Sequence, residues 1–151
     1  MAGRARAFFE DVRQAAIDAE RCKVQLDAME VRARFGSSNG IHERVSTSGN
    51  GVERRTINYI NHHDQLEKRR DRDFALIDRA CEVLYGADQM GNGGLCALNP
   101  RWADICWWFY CAGAVWTVVA NNTGISKRKA QIYRNDALRA LDRLGLVPSE
   151  W

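Results

Sequence analysis

The N-terminal part of the chain carries an unbroken apolar stripe. Ala5, Phe8, Val12, Ala15, Ala19, Cys22, Leu26, Met29 and Ala33 follow one another in alternating steps of three and four residues. That alternation lines one face of a helix. Sustained for about four heptads, it predicts a long helix from about Ala5 to Phe35 laid against a partner helix. At 1.5 Å per residue it would reach roughly 45 Å. Four of the stripe positions are alanine, which allows close approach but buries little area, so the partner should matter for stability.

The stripe stops at Gly36-Ser37-Ser38-Asn39-Gly40, and Ser46-Thr47-Ser48-Gly49-Asn50-Gly51 follows shortly after. Turn-forming residues of this density predict an extended connection over about 36–52. The hydroxyls do not make a phosphate cradle, because no G-x-x-x-x-G-K-[ST] is present. A second long helix is expected from Val52 or Glu53 to about Tyr85. Ile57 and Ile60 open its apolar face, and Phe74, Ile77, Cys81 and Leu84 close it. Between them residues 64–73 are nearly all charged, which predicts a solvated middle. The two long helices form a hairpin within one chain or exchange across a dimer. Residues 87–98, centred on Gly91-Asn92-Gly93-Gly94, read as a linker.

Residues 99–151 are set off as a separate unit of three short helices. Asn99 as cap followed by Pro100 is a strong helix start. That first helix, Pro100 to about Ala112, holds Trp102, Trp107, Phe109 and Tyr110, read as core-building rings rather than stacking platforms for bases. The second runs from about Ala114 to Asn121. Asn122-Thr123-Gly124-Ile125 is the turn, with Gly124 able to take a left-handed conformation. Ser126 caps the third helix, Lys127 to about Leu144. Ala130, Tyr133, Ala137, Leu138, Leu141 and Leu144 recur at helical spacing and should face the core. Lys127, Arg128, Lys129, Gln131, Arg134, Asn135 and Arg139 should lie largely on the other side.

Charge sharpens this picture. The whole chain has 22 basic and 19 acidic residues, a net of +3 that identifies no partner. From Ser126 to Leu144, however, six basic residues stand against two acids, a local net of +4. A helix, a Gly turn and a capped basic helix match the construction of a major-groove reader, a helix-turn-helix. The DNA-facing residues are then Ser126, Lys127, Arg128, Lys129, Gln131, Arg134, Asn135 and Arg139.

Other chemistry is poorly supplied. Five cysteines are scattered without a C-x-x-C pair, so neither a disulfide framework nor a zinc site is expected, and a reducing cytoplasm fits. His62 and His63 are adjacent and would diverge by about 100° on a helix, a poor chelate, and His42 lies in a polar stretch. No metal, cofactor or catalytic constellation is expected. The longest apolar run, Ile105 to Ala120, is too short to span a bilayer.

Trp116-Thr117-Val118-Val119-Ala120, Gly124-Ile125-Ser126 and Ala137-Leu138-Arg139-Ala140-Leu141 resemble the C-terminal DNA-binding region of bacterial sigma factors (region four). The layout of the whole chain is similar to the RinA/ArpU group of phage and prophage late transcriptional regulators. The resemblance implies an all-α protein with a long N-terminal helical hairpin (1–86) and a sigma-like helix-turn-helix (99–151). It implies base reading by Lys127, Arg128 and Gln131. Ile132 departs from the pattern, which often has a polar residue there, and leaves base contact or packing open at that position. A complete sigma factor is not expected, because residues 1–98 lack Trp and any aromatic cluster beyond Phe8-Phe9. The expected partner is double-stranded DNA, with RNA polymerase and a second copy of the chain as further candidates. A terminase small subunit, or a module that binds only polymerase, are the alternative readings.

Overall fold

The computed structural model describes residues 3–35 and 49–151, with side chains from Glu53 onward in the second segment. Among the described residues every regular element is helical, and no helix is long and apolar enough to cross a membrane. The elements are α1 (Arg4–Phe35), α2 (Gly49–Tyr85), α3 (Gly94–Leu98), α4 (Pro100–Cys106) continued by a π-turn (Trp107–Cys111), α5 (Trp116–Thr123) and α6 (Lys127–Leu144). The connection expected at 36–48 lies outside the described residues. Helix α2 begins at Gly49, earlier than expected. First-turn N–H groups have no partner within the helix anyway, so glycines are tolerated there.

The chain forms two compact units that do not follow the expected boundaries at 86 and 99. One unit is Met1–Ile17 with Asp73–Trp151, and the other is Asp18–Arg72. In the first, Ala5, Phe8, Phe9 and Val12 of α1 share a core with Ala80, Val83 and Leu84 of α2. Leu95, Ala103, Cys106, Tyr110, Ala137, Leu138 and Leu141 complete it. The two ends of the long helices are therefore structural parts of the C-terminal unit. A heptad stripe shows that a face needs cover, but not which element supplies it.

Residues 87–98 are not a plain linker. Leu95 is fully buried on α3. Gly94 has φ +62°, and a Cβ there would stand 2.4 Å from the Val83 carbonyl oxygen. The glycines bring the chain close to the end of α2, where a side chain could not pass.

Helix α4 starts as expected. The Asn99 side chain accepts from the N–H groups of Arg101 and Trp102, with Pro100 at the first position. The helix then widens, and the Ala112 N–H reaches the Trp107 carbonyl at 2.9 Å. Four rings stand in succession here and serve different clusters. Tyr110 is buried in the main core, with Trp107 against it. Trp108 belongs to a second cluster around Ile105, Val119 and Ala130, and Phe109 borders both.

In the second unit, Cys22 and Leu26 of α1 close on Leu66 of α2, with Met29 at the edge. Arg69 donates through Nε to Asp18 Oδ2 at 2.8 Å and through Nη2 to Asp18 Oδ1, a bidentate fork that fixes the register of the two helices. The middle of α2, expected to be solvated throughout, thus contributes a buried leucine and this pair. Ile57 and Ile60, expected to open an apolar face, are exposed. His63 lies 3.0 Å from Glu67 and stacks on Tyr59; His62 is exposed. His42 lies outside the described residues.

Candidate nucleic-acid interface

The candidate surface is built by α5, the turn at Gly124 and α6. Helix α5 begins after the extended Val115 and buries Val119. Its last turn is closed by side chains. Thr123 Oγ1 donates to the Val119 carbonyl at 2.6 Å, and Asn122 Nδ2 donates to the Val118 carbonyl at 2.9 Å. Gly124 then turns left-handed at φ 73°, and its N–H reaches the Ala120 carbonyl at 2.9 Å. A Cβ at Gly124 would meet nothing within 4 Å. Backbone conformation alone therefore favours glycine there.

Ser126 is extended, and its hydroxyl accepts from the Lys129 N–H at 3.2 Å, which satisfies one of the unpaired donors that open any helix. Helix α6 buries Ala130, Ala137, Leu138, Ala140 and Leu141, and Tyr133 packs against the second cluster. Leu144, expected on this inner face, is half exposed, because it sits in the last turn before Gly145 ends the helix. Ser126, Lys127, Arg128, Lys129 and Arg139 are exposed, and Gln131 is half-buried. Arg139 lies 3.5 Å from Asp136, an exposed pair of little energetic weight.

Two of the sequence-selected residues are committed elsewhere. Arg134 turns inward, contrary to its expected place on the outer face. Its guanidinium lies 5.1 Å from the Trp116 ring centroid and 5.5 Å from that of Phe109. It donates to the Tyr110 hydroxyl at 3.3 Å and to Asn135 Oδ1 at 2.8 Å. Asn135 Oδ1 also accepts from Arg6 at 3.4 Å. The reason is positional: three and four residues either side of Arg134 stand Ala130, Ala137 and Leu138, all buried.

Below Arg134 the ring stack continues. Phe109 and Trp116 lie parallel, with centroids 4.0 Å apart, and Arg13 of α1 covers Phe109 at 4.0 Å. Arg13 also donates to the carbonyls of Phe109 and Ala114, the latter at 2.9 Å. A cation thus serves one carbonyl of the π-turn and one of the chain that follows it. Desolvation lowers the Arg13 pKa from its ordinary value. Burial raises that of Tyr110, and the Arg134 charge opposes the rise. Arg13 was not singled out from the sequence, and no local motif marks it.

Ile132 is the other residue of note. It is 48% exposed on the outer face, so packing against the core does not explain it. Arg143 is exposed on the same helix. No family model, curated protein or solved structure matches this chain.

Proposed function

We propose that the chain is a sequence-specific duplex-DNA-binding transcriptional regulator of phage or prophage origin, acting through α6. The observation that carries the reading is the first turn of α6. Ser126 caps it, Lys127, Arg128 and Lys129 are all exposed on it, and the left-handed Gly124 sets it off from α5. In this reading α5, Gly124 and α6 are a helix-turn-helix of the sigma-region-four kind. Helix α6 lies in the major groove, with its positive N-terminal end toward the duplex.

Arg128 and Gln131 then meet base edges, and Lys127, Lys129, Arg139 and Arg143 meet phosphates. Arg134 and Asn135 hold α6 on its ring platform rather than touching DNA. The long helices make a hairpin through which two copies associate, RNA polymerase is a second partner, and the protein works in the cytoplasm without cofactor or catalysis.

The test is selection of bound duplexes from a random pool, then titration of the selected and a scrambled duplex at several salt concentrations. Affinity should fall with salt by a slope of about 0.9 per neutralised phosphate. Arg128→Ala should cost about 1–3 kcal/mol on the selected duplex and much less on the scrambled one. Equal losses on both would overturn sequence reading by this helix.

A further inference from the structure

We propose that Ile132 is a specificity-determining residue that packs against the 5-methyl group of a thymine in the major groove. The proposal rests on the duplex-DNA reading above and goes further by naming the base. At about 100° per residue, Ile132 points directly away from the buried Leu141, nine positions on. Its neighbours on the helix surface are Arg128 and Lys129 before it and Asn135 and Asp136 after it, with Arg139 one turn beyond. An apolar side chain, 48% exposed, thus stands at the centre of a polar, mainly cationic face.

A partner for this face must be anionic at its flanks and apolar at one central point. In the major groove phosphates supply the flanks, and the thymine methyl is the apolar feature that base edges present. Ile132 lies in the second turn, about 8 Å along the axis from Lys127, within the part of a recognition helix that meets bases. Its β-branched side chain has few rotamers, so ordering it against a methyl group costs little entropy. An acidic protein surface would supply the charge but no reason for the isoleucine.

The experiment uses the full chain and the duplex selected from a random pool. Each thymine is replaced singly by deoxyuridine, which removes only the methyl group. For the native protein, one position, or two adjacent ones, should lose binding by about fourfold, the worth of one methyl removed from water. For Ile132→Ala the same replacement should make no difference, and Ile132→Val should retain most of it. Far-UV dichroism melts of the variants should stay close to that of the native protein, since Ile132 is not one of the buried core residues. A selected site without thymine, indifference of the native protein to every replacement, or an undiminished deoxyuridine effect in Ile132→Ala each overturns the proposal. Selection of no duplex at all overturns the DNA reading itself, as would binding of an acidic protein alone.

Discussion

Replacing Arg134 by alanine separates a residue that holds the proposed interface from residues that would use it. The guanidinium stacks on two rings, each contact worth about 0.5–1 kcal/mol and more where water is excluded. Its loss also leaves the hydroxyl of Tyr110, a residue 1% exposed, without its arginine donor. An orphaned polar group of that kind costs about 1–3 kcal/mol. The expected destabilisation is about 2–5 kcal/mol. In a compact unit of this size that lowers Tm by at least about 8 °C. Thermal melts followed by circular dichroism measure it. Adding Tyr110→Phe removes the orphaned hydroxyl, so the double variant should be more stable than the sum of the single effects by about 1 kcal/mol. DNA binding supplies the contrast. Arg134→Ala should leave the salt slope unchanged at temperatures where the protein is folded. Arg139→Ala should leave Tm within about 2 °C, because exposed pairs contribute little, and should reduce the slope by about 0.9. An Arg134→Ala variant that melts like the native protein but loses a unit of salt slope would refute the inward assignment.

Ser126→Ala removes the acceptor for the Lys129 N–H and should cost about 1 kcal/mol in denaturant titrations, with Ser126→Asp restoring it. Burial pushes the Cys106 thiol up to about 12, whereas an unfolded thiol titrates near 8.5. Its folded pKa is raised, so the contribution is complete below about pH 8.5 and is lost as pH rises toward 12, at up to about 1.4 kcal/mol per unit. Denaturant titrations between pH 8 and 10.5 should show that fall, and Cys106→Ala should lessen its slope by up to about 1.4 kcal/mol per unit. The Cys111 thiol, raised by its hydrogen bond to Cys81 and by burial, and the Tyr85 and Tyr110 hydroxyls, raised by burial, keep the remainder.

Local chemistry was the most legible part of the sequence. Asn99-Pro100, Gly124 and Ser126 each set a helix end through their own backbone or side chain, and each appears where expected. The α1 stripe was legible as far as Leu26, because a 3–4 repeat has one geometric meaning. It was not legible that Phe8 and Val12 lie in one core with Leu138 and Leu141, since periodicity carries no address. The glycines of 91–94 suggested looseness, yet at Gly94 the absent Cβ is a condition of close packing. Arg134 departs from its expected place for a different reason. Its buried neighbours at 130, 137 and 138 already marked its angle on the helix, but its charge drew it to the outer face. A long cationic side chain over aromatic rings satisfies both charge and burial, and composition alone does not reveal the rings.

The unit boundaries lead to the last prediction: residues 99–151 will not fold alone, although three capped helices suggest that they should. That fragment lacks Phe8, Phe9, Val12, Leu84 and Leu95, each fully buried in the intact chain. At about 1.5–3 kcal/mol for each buried large side chain, the missing cover amounts to about 8–15 kcal/mol. That is as large as the entire net stability of a typical domain, about 5–15 kcal/mol. The polar ties are lost as well. The Ala5 N–H donates to Asp142 Oδ1 at 2.8 Å, Trp151 Nε1 donates to Asp11 Oδ2 at 2.7 Å, and Arg13 holds the carbonyls of Phe109 and Ala114. The fragment should show weak helical dichroism and no cooperative melt. A chain in which a Gly/Ser linker replaces residues 18–72 keeps every one of these groups and should melt cooperatively. If the 99–151 fragment unfolds in a sharp transition near the Tm of the full chain, the α1 and α2 ends are ornament to the C-terminal unit and the energetic argument fails.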